Sequence, residues 1–325
     1  MDIILPAAGF GTRLRPHTWS KPKPLVPVAG KPMIEQILDR LMPYGPDKLV
    51  FITGYRGDQL EEWARATYAD VELAFVHQPE MLGQTDAVLR TRDICHDDAL
   101  ILYPDALFEA DFSGLADLDV DGVAYTKVID DPSAYGVAVV EDGFITGLVE
   151  KPAEPVSNLA LIGIYYFKQV QDLYAAMDEQ IRRKIMIKGE YYLTDAVQIM
   201  VEQGKKFVTR DVKSWEDCGN AEALLTTNRY LLSNDPPSPA QRPGNVIVPP
   251  SFVHRDATLE NAVVGPYASI GAGSVVRNAI VRDAIVENNT HIENAILEHS
   301  IVGSDAEVIG RAAQLNIGDT TKVSL

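Results

Sequence analysis

Residues 1–33 read MDIILPAAGFGTRLRPHTWSKPKPLVPVAGKPM. The apolar run Ile3–Leu5 is a short buried strand by composition, and Pro6-Ala7-Ala8-Gly9 ends it. Gly9-Phe10-Gly11-Thr12-Arg13 then turns the chain, and Arg13 and Lys23 stand ten residues apart among prolines. Such a loop brings backbone N–H groups against an anion. Glycine permits the close approach, unpaired amides favour negative charge, and the cations add fixed charge. The stretch predicts a grip for a nucleoside triphosphate. Two other phosphate loops are excluded. The third glycine of G-x-G-x-x-G falls on Leu14, with Arg15-Pro16 where a helix would open, and G-x-x-x-x-G-K-[ST] does not occur. Gly-x-Gly alone would describe a tight turn with two solvated cations; the longer string carries the reading.

Outward from this loop, apolar runs alternate with helical patterns as far as about residue 232. Strands are expected at Ile3–Leu5, Leu49–Ile52, Leu73–His77, Ala99–Tyr103, Gly122–Val128, Gly136–Val140, Ile162–Phe167 and Lys206–Val208. Helices are expected at Met33–Met42, Gln59–Thr67, Gln84–Arg92, Lys168–Met177 and Leu193–Gln203. The alternation predicts an α/β domain with a mostly parallel sheet and its ligands at the carboxyl ends of the strands. Residues 233–245, SNDPPSPAQRPGN, form a Pro-rich linker. Beyond it Val253, Leu259, Val264, Ile270, Val276, Val281, Val286, Ile292, Leu297, Val302 and Val308 recur every five or six positions. That hexapeptide-like period predicts a parallel β-helix over 246–325, in three or four coils. So short a helix has open ends, which makes contact with other subunits an expectation.

Composition bounds the rest. A chain of 325 residues predicts two domains. No apolar run reaches the ~20 residues of a membrane span, and no cleavable leader is evident, so no membrane partner is expected. The two cysteines, Cys95 and Cys218, give neither a disulfide framework nor a metal cluster, which suits a reducing, cytoplasmic location. A formal net charge of −17 argues against a nucleic-acid partner. It also requires anionic substrates to be captured by local cations, against the global field.

The opening string resembles the sugar-1-phosphate nucleotidyltransferases, the NDP-sugar pyrophosphorylases, whose motif is G-x-G-T-R, a Pro, P-K and P-V-x-G-K-P. Here these are Gly9 to Arg13, Pro16, Pro22-Lys23 and Pro27-Val28-Ala29-Gly30-Lys31-Pro32. The resemblance implies a Rossmann-like nucleotide-diphospho-sugar transferase domain, residues 1–232, followed by a short left-handed parallel β-helix. The implied reaction joins an NTP, dTTP or UTP, to a hexose-1-phosphate with release of pyrophosphate, and Mg²⁺ is the implied cofactor. Arg13 and Lys23 take the catalytic places, Arg13 on the leaving pyrophosphate and Lys23 between the α-phosphate and the sugar phosphate. Ala8, Gly9, Gly11, Thr12, Gln78 and Gly83 take the nucleotide, with Gln78 on the base.

Asp105, where the family has Gly-Asp and this chain Pro104-Asp105, and Asp217 in Trp215-Glu216-Asp217-Cys218-Gly219 take the metal. Asp131-Pro132-Ser133-Ala134-Tyr135-Gly136, Val149-Glu150-Lys151-Pro152 and Ser157-Asn158-Leu159-Ala160-Leu161-Ile162-Gly163-Ile164-Tyr165 resemble the sugar-side motifs. Tyr135, Gly136, Glu150, Lys151 and Asn158 are thus the expected sugar-phosphate contacts. The string as a whole is most similar to glucose-1-phosphate thymidylyltransferases. Leu161 stands where N-acetylglucosamine enzymes tend to carry an amide, which points to a plain hexose. Three plainer readings stay open: Gln78 as a buried loop residue, the aspartates as turn residues, and Thr194 or Asp195 as a helix cap. Two further functions stay open as well. The departures at Pro104 and Gln84 would suit a catalytically silent assembly subunit, and His254, His291 or His299 could serve an acyltransferase in the β-helix.

Overall fold

The computed structural model of the protein describes residues 1–236 and 242–310. Part of the expected linker, 237–241, and the last residues of the expected β-helix domain, 311–325, lie outside the described residues. The chain packs as two units, Met1–Val26 with Lys31–Ala223, and Pro27–Gly30 with Leu224–Leu325.

In the first unit the strands are β1 (Asp2–Pro6), β2 (Lys48–Thr53), β3 (Glu72–His77), β4 (Ala99–Leu102), β5 (Ala106–Glu109), β6 (Gly122–Val128), β7 (Gly136–Glu141), β8 (Phe144–Glu150), β9 (Leu159–Phe167), β10 (Phe207–Asp211) and β11 (Ser214–Asp217). Nine of them form one sheet, ordered β8-β7-β9-β4-β1-β2-β3, with β6 on β9 and β10 on β6. Helices α1 (Met33–Leu41), α2 (Gly57–Thr67), α3 (Gln84–Leu89), α4 (Val170–Arg183) and α5 (Leu193–Glu202) complete the unit. Ile4, Val50 and Ile101 of the sheet are buried with Leu173 and Met177 of α4 and Val197 and Met200 of α5 in one core. Each helix presents an apolar stripe to a sheet whose central strands are apolar on both faces.

The expected strands are present, but the sheet is mixed rather than mostly parallel. Strands β4, β1, β2 and β3 run parallel. Strand β9 is antiparallel to β4, β6 and β7, and β8 is antiparallel to β7. The physical reason lies in the connections. Asp142 and Gly143, at φ 50° and 84°, alone join β7 to β8, and a two-residue link with both residues left-handed reverses a strand. Four of the longer elements are absent from the sequence expectation: β8, the two ribbon strands β5 and β11, and the helix Ala221–Asn234, here α6.

The second unit is a parallel β-helix. Val246, Val263, Ile280 and Ile296 stack as successive rungs, so each coil advances 16 or 17 residues through four coils. Parallel ladders starting at Phe252 and Thr258 make the other two faces. Of the eleven periodic aliphatic residues, Val264, Ile270, Val276, Val281, Val286 and Ile292 are buried, and Val253, Leu259, Leu297 and Val308 pack against them. The period was therefore the inward-facing position of each face. From Leu224 onward α6 belongs to this unit rather than to the domain expected to end at 232. The reason is a buried amide: Asn228 Nδ2 donates to Tyr267 O at 3.0 Å, and its Oδ1 accepts from Ser269 Oγ at 2.7 Å and Ala29 N at 3.0 Å.

Candidate active site

The opening loop follows β1 as expected. Ala8 is buried and its carbonyl accepts from Tyr55 N at 3.2 Å, which fixes the start of the loop on the end of β2. Gly11 is left-handed at φ 61°, and its carbonyl accepts from Thr18 Oγ1 at 2.8 Å. A 3-10 turn, Thr12–Leu14, then aims Arg13 back across the loop. Gly9, Gly11 and Lys23 line a crevice of about 120 Å³ whose far wall is Tyr103, Pro104 and Asp105. Thr12 is exposed and, like Ala8, stands outside the lining of that crevice.

The ribbon β5/β11 positions the two aspartates. Asp217 lies opposite Ala106, and Cys218 N donates to Asp105 O at 3.1 Å, so the residue before one strand meets the end of the other. Lys23 Nζ pairs with Asp105 Oδ2 at 3.2 Å. Arg13 joins from the other side. A Cβ built on Gly219 would lie 3.0 Å from an Arg13 guanidinium nitrogen and 2.8 Å from Asp217 Oδ1, so the glycine lets both side-chain ends come close. Asp217 Oδ1 also accepts from Gly219 N at 2.7 Å. The phenol of Tyr135 registers the cluster. Burial, then Asp217, raises its pKa against the opposing Arg13, with Asp105 acting in the same sense as Asp217.

A larger cleft of about 530 Å³ shares Tyr103 and Asp105 with the crevice, and Arg13, Asp217, Tyr135, Gly136, Glu150 and Lys151 line it. Gly136 holds its place by space: a Cβ there would meet Glu150 Oε2 at 2.8 Å. Glu150 is buried to 8 % side-chain exposure, and its Oε2 accepts from Thr194 Oγ1 at 2.8 Å. Lys151 is left-handed at φ 45°, with its N–H donated to Tyr135 O at 3.1 Å. Trp215 meets Tyr135 edge-on at 4.9 Å and closes one wall.

Several expected residues stand elsewhere. Gln78 is buried, and its Nε2 donates to Gly83 O at 3.2 Å and Asp86 Oδ2 at 2.9 Å. Gly83 has φ 109°, and a Cβ there would fall 2.5 Å from the backbone N and O of Tyr191, so its place is a close backbone crossing. Asn158 is exposed outside the cleft, with its carbonyl accepting from Ile129 N at 3.1 Å. Neither Thr194 nor Asp195 caps α5, which has no side-chain cap bond. Thr194 turns to Glu150. The Oδ2 of Asp195 is buried without a hydrogen-bond partner, and burial, then Glu150, pushes its carboxyl up to about 6. Gln84 accepts from Leu193 N at 3.0 Å, so that departure braces the start of α5. Tyr165, the last residue of the motif that starts at Ser157, lines the cleft, and Tyr103 and Tyr192 line it without having been singled out.

The family described as nucleotidyl transferase matches residues 1–234. The chain belongs to the nucleotidyl transferase family. Among curated relatives, the bifunctional protein GlmU of Methanocaldococcus jannaschii is 32% identical over 234 residues, 71% of this chain and 54% of that protein. This nucleotidyl transferase thus spans about half the length of that relative. The UTP–glucose-1-phosphate uridylyltransferase AglF of Haloferax volcanii is 31% identical over 68% of this chain and 93% of its own. A glucose-1-phosphate thymidylyltransferase of Streptomyces griseus is 27% identical, with 100% of this chain and 99% of its own covered. A UDP-glucose pyrophosphorylase structure complexed with UDP-glucose aligns at a TM-score of 0.63 and 24% identity over 72% of this chain and 98% of its own, a likeness of fold.

Asp105 and Asp217 are the residues of this family member that could hold a metal. Among the described residues no three His, Cys, Asp or Glu side chains are placed so that they could hold a metal ion together. Two carboxylates at the mouth of a phosphate site fit Mg²⁺, which binds through one or two carboxylates plus substrate phosphates and keeps its remaining waters. No described helix is long and apolar enough to cross a membrane.

Proposed function

We propose that this nucleotidyl transferase joins an NTP, dTTP or UTP, to a hexose-1-phosphate, glucose-1-phosphate first, and releases pyrophosphate. One observation carries the reading. Arg13, Asp105 and Asp217 line the same cleft as Glu150 and Lys151, and Lys23, which lines the smaller crevice beside it, pairs with Asp105. A sugar-phosphate oxygen attacks the α-phosphorus, and the bond to the β-phosphate oxygen breaks. The protein holds two mutually repelling anions in line and neutralises the charge that develops.

Arg13 braces the departing pyrophosphate with its planar fork, and Lys23 gives a point charge between the α-phosphate and the incoming phosphate. Asp105 and Asp217 would hold Mg²⁺, which supplies charge neutralisation on the phosphoryl oxygens when bound. Glu150, fixed by Thr194, accepts from sugar hydroxyls, and Lys151 faces the sugar phosphate. Leu161 offers an apolar wall, which favours a plain hexose. A cytoplasmic location accords with Cys95 and Cys218, both buried and neither in a disulfide.

The test is a grid of NTPs against glucose-, galactose-, mannose- and N-acetylglucosamine-1-phosphate, read by pyrophosphate release. Glucose-1-phosphate with dTTP or UTP is expected to lead. No release for any pair with Mg²⁺ present would overturn the reading. A second role in acyl transfer gains little support. His299 is engaged by Asp283 and Arg229, and His291 by Glu293 and Glu307. The β-helix is instead proposed to join copies of the chain. Its first face turns aliphatic residues outward on successive coils, with Val246 55 %, Ile280 37 % and Ile296 70 % exposed.

A further inference from the structure

We propose that Tyr192 is the positioning residue for Lys151, and that it fixes where the ammonium meets the phosphate of a hexose-1-phosphate. The assignment rests on the sugar-phosphate reading of the cleft and deepens it. Lys151 Nζ lies 3.0 Å from the Tyr192 hydroxyl and 4.4 Å from the centroid of the Tyr192 ring. Its other charged neighbour is Glu150 Oε1, at 3.6 Å. The Lys151 side chain is 43 % exposed, and a lysine stem of four carbons left to itself would sample many rotamers. The tyrosine limits that freedom twice, through the hydroxyl and through the ring face. An ammonium has three donors; one is directed to the Tyr192 oxygen, which leaves two for a phosphate. The Tyr192 proton is then free to point at the same phosphate.

Tyr192 is itself held from behind. Its carbonyl accepts from Gln180 Nε2 at 2.9 Å and Thr85 Oγ1 at 3.3 Å, and those two buried side chains bond each other at 2.8 Å. Tyr191 N donates to Leu82 O at 3.0 Å, and Thr85 N to Tyr191 O at 3.1 Å. Leu193 N donates to Gln84 Oε1 at 3.0 Å. The backbone on both sides of Tyr192 is thus pinned to residues 82–85, the segment that follows Gln78, so the position of Lys151 is set from the far side of the cleft. The charge state agrees: burial opposes the ammonium, yet the Tyr192 bond and the neighbouring Tyr192 and Glu150 raise the Lys151 pKa.

Two readouts on the full-length Tyr192→Phe and Tyr192→Leu variants test this. The first needs no substrate: acetylation of Lys151 by N-acetoxysuccinimide at pH 9, followed by peptide mass spectrometry. Labelling is expected to be about 3-fold faster in Tyr192→Phe and about 10-fold faster in Tyr192→Leu, because the bond and then the ring are lost. Equal rates in all three proteins overturn the proposal. The second is steady-state kinetics. The KM for hexose-1-phosphate is expected to rise about 3-fold and about 10-fold respectively, with the KM for NTP within about 2-fold. A fall in kcat with an unchanged sugar-phosphate KM would make Tyr192 a merely structural residue and also overturn it. Should the parent turn over no substrate pair, the proposed function falls while the labelling still decides Tyr192. Should Tyr192→Leu fail to fold, Tyr192→Phe keeps the ring and decides alone.

Discussion

Arg13, Asp217 and Gly219 show how closely charges are placed in this cleft, since a methyl on Gly219 would press on the ends of both side chains, 2.8 Å from Asp217 Oδ1 and 3.0 Å from an Arg13 nitrogen. Asp105→Asn and Asp217→Asn are each expected to lower kcat by about 100-fold or more, because in the proposed reaction several kcal/mol of phosphoryl stabilisation would pass through those carboxylates. Stopped assays of pyrophosphate release at saturating substrate check this, and parent-like turnover in either variant removes that aspartate from the metal site. Asp195 gives a second expectation. Its folded pKa of about 6 is raised above the ordinary carboxyl value of 3.8, so between those values the native state binds the extra proton and stability falls as pH rises. Asp195→Asn should therefore stabilise the protein by about 1–3 kcal/mol at pH 7 and by almost nothing at pH 4, as read from urea midpoints at the two pH values. The charged residues of the site were legible because each sits in a string of fixed residue types. Tyr192 was not, because what it touches, Lys151, lies 41 residues away in sequence and no local pattern connects them. Gln78 was legible only as a residue type; its neighbours Gly83 and Asp86 decide where its amide points.

Strands that form the parallel half of the sheet announced themselves as apolar runs, since both of their faces are covered. The ribbon β5/β11 did not. Its strands are four residues each and pair across more than a hundred positions, so neither has the length to show a period. Yet this ribbon carries Asp105 and Asp217 to each other. The reversal at Asp142-Gly143 is present in the sequence as a turn signal, and it is what makes β8 antiparallel to β7. The crossing of Gly83 with Tyr191 belongs to this scale too. Gly83→Ala would set a methyl against backbone at 2.5 Å in a conformation that disfavours side chains. We expect a loss of about 3 kcal/mol or more, measured as a lower urea midpoint, together with a weaker hold on the segment that precedes α5.

The whole molecule is strongly acidic, so whatever joins two copies must do so where charge is sparse. The outward column of Val246, Val263, Ile280 and Ile296 on the β-helix is aliphatic, and the charges beside it, Arg282 and Glu298, offset each other as a pair. Ile280→Glu combined with Ile296→Glu is expected to reduce the mass measured by light scattering, while the parent runs as a multimer; an unchanged mass would mean that this column joins nothing. The repeat itself was fully legible, because a prism interior admits one aliphatic residue per face and so prints its own spacing on the chain. What the spacing could not reveal is where the repeat unit stops claiming sequence. Helix α6 starts two residues after Gly219, yet most of it is seated on the β-helix through the amide of Asn228. For anyone recombining such proteins, the Pro-rich stretch is therefore a poor splice point. A chimaera cut there inherits the helix from one parent and its seat from another, and leaves the Asn228 amide facing strangers. A cut near residue 220 keeps helix and seat together, but the returning Pro27–Gly30 loop must then be grafted with them.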